Sequence, residues 1–170
     1  AQVRELRIAP LQQYMAVNRA ILTAEAYAIH QQWLRERPQD YGAITRERFF
    51  AGATLTAADY INATRLRAKL TSQFHQQFED IDVALTASAH DPACRIDDAA
   101  ANDYTYGRQA RSPFNVTGSP AMSVPAGFSS KGLPLGFQIV AAPHQEALLF
   151  RVGAAYEAAT SWTRRHPVLG

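Results

Sequence analysis

A single cysteine, Cys94, leaves this chain no partner for an internal disulfide and no set of thiolates for a metal cluster. That scarcity suits a reducing compartment. Cys94 itself lies in HDPACRIDD with no base at fixed spacing, and reads as a plain loop cysteine. Charge of one sign is scarce too. Net charge is +2, with acids and bases interspersed, which gives no electrostatic case for nucleic acid. The densest cationic stretch, Arg65, Arg67 and Lys69, falls within an amphipathic helix and reads as a solvated face. No apolar run reaches the roughly 18 residues needed to cross a bilayer. The histidines, His30, His75, His90, His144 and His166, show no H-x-x-x-H or H-E-x-x-H spacing, so neither a metal nor a cofactor is expected. Lysines number two, Lys69 and Lys131, and no two of the nine glycines are adjacent.

What remains is ordinary for a folded unit. At 47% hydrophobic content, 170 residues suffice for one domain, 1–170, with a proper core. The opening AQVRELRIAP has no initiator methionine and no signal-peptide layout. It starts almost inside an extended segment, Val3 to Ile8, as a truncated or cleaved product would.

Periodicity then gives a helix from Leu11 to Leu34, with Leu11, Met15, Leu22, Ile29 and Trp33 as its apolar stripe. Pro38 and Gly42 stop it. A shorter helix covers Thr45 to Ala51. A third runs from Thr56 to Glu79, with Thr56 as N-cap, Asp59 in its first turn and Tyr60, Ala63, Leu70, Phe74 and Phe78 on the core face. Val83 to Thr86 reads as a buried strand. Residues 88–111 lose periodicity and turn polar, the signature of a functional or mobile loop. Ala121 to Phe128 and Leu133 to Ala142 form a hairpin about Ser129–Gly132. A last helix runs from His144 to Thr160. The fold class is α/β: a mixed sheet with an antiparallel hairpin, covered by helices.

One segment is more specific than the rest. RSPFNVTGSPAMSVPAGFSSKGLPLGFQIVAA, Arg111 to Ala142, sets a Ser-Pro-Phe-Asn-x-Thr-Gly-x-Pro turn before the hairpin. It resembles the C-terminal segment of the amidase signature family, serine hydrolases that cleave carboxamides. Arg48, Gly52, Ala57 or Ala58, Tyr60, Ala63 and Arg67 are similar to that family's Arg-x-x-x-Gly turn and following helix. FEDIDVALTAS matches its run into the substrate loop through Asp82 and Thr86, with Ala87 where proline is usual. HQEALLFRVGAAYEAAT looks like its closing helix, and the first helix, with Glu25, is compatible.

The resemblance implies the rear portion of a many-stranded amidase sheet. It also implies a serine acyl-enzyme mechanism run by two serines and a lysine, with a paired-glycine loop supplying backbone amides. None of that catalytic set maps here, so no residue is assigned a catalytic role. Lys69 is mid-helix, Lys131 sits in the hairpin turn, and Ser123 in PAMSVPAG lacks the G-x-S-x-G elbow. The expected partners are a small amide substrate and the missing N-terminal catalytic portion, in the cytoplasm. The implied pocket wall is Phe114, Asn115, Thr117 and Gly118, with Thr86 and the loop after it. Asn115 and Thr117 read first as caps of their own turn and second as pocket residues. Glutamyl-tRNA amidotransferases, in their amidase-like component, are a second branch, but RAILTAEAYAIHQQ lacks their Ser-Ser-Asn-Leu-x-Arg-x-Asp-Gly run. A non-catalytic domain that self-associates through its strand edges into a homo-oligomer is a further reading. An independent hydrolase built on Ser123 or Cys94 is the last.

Overall fold

A computed structural model describes residues 2–166. Three α-helices come first: α1 Leu11–Glu36, α2 Ala43–Phe50 and α3 Ala57–His75. Strand β1 Val83–Ala87 follows, then α4 Ala99–Tyr106, α5 Ser112–Thr117, β2 Ala121–Phe128, β3 Pro134–Ala141 and α6 Glu146–Ala159. Residues 2–10 join no strand of the sheet, so the extended opening is not a strand; Arg4 pairs with Asp80 and Leu6 packs against the cluster around Phe74.

Local chemistry sets the helix ends. Pro38, which has no N–H to donate, opens a separate 3₁₀ turn one residue beyond the Arg37 cap of α1. At α3 the Asp59 N–H donates to Thr56 Oγ1 at 3.1 Å while Asp59 Oδ2 accepts from the Thr56 N–H at 2.9 Å, a reciprocal capping box. The hydroxyl of Thr56 also donates to Asp59, and together these bonds hold the carboxyl below its usual range.

The stripe expected to bury α1 is not the one that does. Leu22, Ile29 and Trp33 are exposed, while Tyr14, Val17, Ala26 and Leu34 are buried. Tyr14 and Val17 pack on Leu70 of α3 and Val116 of α5. On another face, Gly52, in the 3₁₀ turn after α2, lies directly against the α1 backbone at Thr23. Tyr60 Oη donates to Glu25 at 2.8 Å, tying α3 to α1.

The sheet has the order β1-β3-β2, and both pairings are antiparallel. Its hairpin turns at Ser129–Gly132, where Gly132 takes φ 78 and its N–H reaches Ser129 O at 2.9 Å. One face carries Ala84 and Val140 against Phe74 and Phe114. The other carries Ile139, Ala141 and Val124 against Leu149 of α6. Helices thus cover both faces, as the pattern of elements predicts. No helix of the described residues is long and apolar enough to cross a membrane.

Two further expectations are corrected. The polar stretch 88–111 contains α4, capped by Asp98 accepting from the Ala101 N–H at 2.9 Å. The SPFNVT turn is itself the helix α5. Pro113 occupies its first turn, and Gly118 ends it in the left-handed conformation, φ 68, with its N–H on Phe114 O.

Candidate functional site

α5 divides the expected pocket residues by burial. Phe114 points inward, 7% exposed, its ring 5.9 Å from that of Phe74. Thr117 is also buried. Its hydroxyl lies 2.9 Å from Ser119 Oγ, which in turn lies 3.3 Å from His75 Nε2. Asn115 and Gly118 are exposed, and among the described residues the Asn115 side chain makes no hydrogen bond. Neither Asn115 nor Thr117 caps the turn's backbone; Gly118 does that. Arg67 Nε donates to Val116 O at 2.9 Å, so the arginine singled out by resemblance fastens α3 to α5.

Thr86 joins this group through the sheet. It stands opposite Gln138, and Gln138 stands opposite Ser123, so three polar residues form one row across β1, β3 and β2. Alternation puts this row on the same face as Ala84 and Val140, two residues or roughly 7 Å from the contacts of Phe114. Gln138 is buried and donates from Nε2 to Ala87 O at 3.0 Å, while Ser88 Oγ and Ser123 Oγ lie 3.1 Å apart. A cavity of about 310 Å³ adjoins the row beside Ser123, Pro125 and Gly136. A second, of about 470 Å³, opens elsewhere, between residues 7–14 and α3. The polar row thus borders the first.

The segment after β1 is anchored at its stem. The His90 N–H donates to Arg108 O at 3.1 Å and the Ala110 N–H to Ser88 O at 3.1 Å, so 88–90 and 108–110 run side by side. Arg108 pairs with Asp91, which raises the guanidinium's pKa, and its charge lies 5.1 Å from the Tyr104 ring centre. Arg48 of α2 lies over Tyr106 at 4.6 Å and holds α4 from outside. Ser88, Gln138, Ser119 and His75 carry no spacing signal in the sequence; only the strand register and the α5 turn bring them together.

No bond-breaking set assembles among the described residues. Ser119 and His75 are in contact, but Ser119 is buried and already bonded to Thr117, a tie rather than an accessible nucleophile. Among the described residues neither Lys69 nor Lys131 donates its ammonium to a serine, and no group of three metal-ligating side chains occurs. Cys94 Sγ sits 3.3 Å from Asn102 Oδ1 and 3.4 Å from Thr105 Oγ1, inside the loop's own bonding.

A helix-flanked antiparallel sheet thus carries a polar row, with the αL turn at Gly118 ending α5. The chain belongs to the amidase family, whose model, described as Amidase, matches residues 1–150. It is 33% identical over 180 residues to an amidase of Pseudomonas putida, covering 99% of this chain and 38% of that protein. It is 32% identical over 168 residues to the A component of the glutamyl-tRNA(Gln) amidotransferase of Thermosynechococcus vestitus, covering 95% and 35%. A crystal structure of an amidase superposes with TM-score 0.80 at 25% identity, covering 94% of this chain and 38% of that one. The chain therefore spans little more than a third of the length of these relatives.

Proposed function

We propose that this chain is the C-terminal, pocket-forming portion of an amidase that hydrolyses small carboxamides to acid plus ammonia through a serine acyl-enzyme. The observation that carries the reading is a family match along residues 1–150 with no serine–lysine set inside it. In this reading the portion folds as one unit, acts in the cytoplasm and is inactive alone. Asn115 presents a free amide to a polar substrate, and Phe114 lends apolar area behind it. Thr117 and Gly118 hold the shape of the turn, and Thr86 borders the specificity loop.

A stand-alone amidase is preferred to the amidotransferase component. Identities of 33% and 32% to the two branches do not separate them. The stretch RAILTAEAYAIHQQ does, since it lacks the amidotransferase run. The test is ammonia release from a panel of simple amides, by this chain alone and mixed with the unmatched portion of the Pseudomonas putida amidase. Activity confined to the mixture is the expected result. Turnover by the purified chain, abolished by Ser123→Ala or Cys94→Ala, would overturn it.

A further inference from the structure

The polypeptide between β1 and α5 is tied to itself more than to the sheet. Its stem bonds, His90 N–H to Arg108 O and Ala110 N–H to Ser88 O, join its two ends to each other. On the α2 side Arg48 lies over Tyr106. Toward the hairpin, among the described residues, one hydrogen bond reaches β2: Ser88 Oγ lies 3.1 Å from Ser123 Oγ.

This bond spans a strand. β3 runs between β1 and β2, so the two outer strands lie roughly 9–10 Å apart, twice the ordinary spacing. Two serine side chains can meet over the middle strand only where it presents no side chain of its own. Continuing the β1–β3 register by one step sets Ser88 opposite Gly136, and Gly136 stands opposite Pro125, two residues from Ser123. A Cβ on Gly136 would lie 3.2 Å from Ser123 Oγ and 3.9 Å from Ser88 Oγ. Both hydroxyls therefore occupy the space that a side chain at 136 would take, and glycine is needed there for room. Gln138, buried on the same face, donates Nε2 to Ala87 O at 3.0 Å and secures the residue just before Ser88. The cavity of about 310 Å³ opens beside the bridge, against Ser123, Pro125 and Gly136.

We propose that Ser88 and Ser123 are positioning residues: their bridge over Gly136 sets where the 91–107 excursion stands against the hairpin, and through it which amides are accepted. The substrate class in this statement rests on the proposed function, whereas the bridge rests on the geometry alone. Neither serine acts on the scissile bond. Each acts through the segment whose stem it holds.

Hydrogen exchange resolved by NMR tests the bridge on this chain without any turnover. Ser88→Ala and Ser123→Ala each quicken exchange of the His90 and Ala110 amides about fivefold, the factor that one modest hydrogen bond carries. The double variant is no faster than either single one, because all three lose the same bond. Exchange along β3 stays as it was, which separates a loosened stem from general destabilisation. Ser130→Ala, at an exposed position of the hairpin turn, changes neither region. When the chain is mixed with the unmatched portion of the Pseudomonas putida amidase, selectivity is read on acetamide and benzamide. The bridge variants lower kcat/KM for the preferred amide about fivefold through KM, with kcat held within about twofold. Ser88→Thr, which keeps the hydroxyl, restores both readouts. Unchanged stem exchange, additive effects of the two alanines, or unaltered selectivity in an active mixture would each overturn the inference. Coupled loosening of the stem in a chain whose mixture is inactive would uphold the bridge and sink the amidase reading; turnover with unchanged stem exchange would do the reverse.

Discussion

Gly52→Ala tests whether the helical layer is assembled as described. A Cβ at this position would lie 2.5 Å from Tyr27 Cβ and closer still to the carbonyl oxygen of Thr23. Carbon atoms in good contact are roughly 3.5–4 Å apart, so something must retreat by about 1 Å. Neither obstacle can rotate away, because one is α1 backbone and the other is fixed to it. Such overpacking costs about 1–3 kcal/mol, and the alanine returns up to about 1 kcal/mol by restricting the unfolded chain. A net loss of about 1–2 kcal/mol lowers Tm by roughly 2–8 °C in a domain of this size. Gly42→Ala is the control, since a Cβ there meets nothing within 4 Å and its φ is −57. Calorimetry on both variants decides the matter. If Gly52→Ala melts at or above Gly42→Ala, the close approach of the post-α2 turn to α1 is wrong.

Thr56→Ala removes the α3 capping box and destabilises by about 1 kcal/mol in urea titration. Because the Asp59 carboxyl is held low when folded, its contribution is present above the ordinary carboxylate range and lost as pH falls below about 4. Thr56→Ala therefore also flattens the acid limb of the stability–pH curve. Phe74→Ala, where the ring is 2% exposed between Phe78 and Phe114, costs about 3–5 kcal/mol by the same titration. In the complemented enzyme Asn115→Ala lowers kcat/KM by about tenfold while leaving Tm of the isolated chain within about 1 °C, since its side chain bonds nothing. An unchanged kcat/KM would remove Asn115 from the pocket.

Parts of this architecture are legible in the sequence because local chemistry alone decides them. The Thr56–Asp59 box fixes the start of α3, and the Ser129–Gly132 turn fixes the hairpin in which Ser123 faces Gln138, whereas Thr86 reaches Gln138 only through the long-range β1–β3 pairing. The buried side of α1 is not legible in this way. Two apolar stripes compete there, and Leu70, Val116 and the glycine contact at Thr23 select between them from distant parts of the chain. α4 hides in a polar stretch although Asp98 before three alanines is a sound start signal. α5, six residues long, is too short for any period to register. At the candidate site, the resemblance picks out Thr117 but not the Ser119 and His75 that hold it, because the three meet only after α3 and α5 pack.

The paired stem at 88–90 and 108–110 isolates the excursion it closes from the rest of the fold. Entry and exit of the excursion are clamped to each other, so residues 91–107 can be lengthened, shortened or exchanged without altering the distance between Thr86 and Ser112. Under the proposed function, the scaffold separates the segment that selects a ligand from what keeps the sheet intact, and a new preference can be acquired as a cassette.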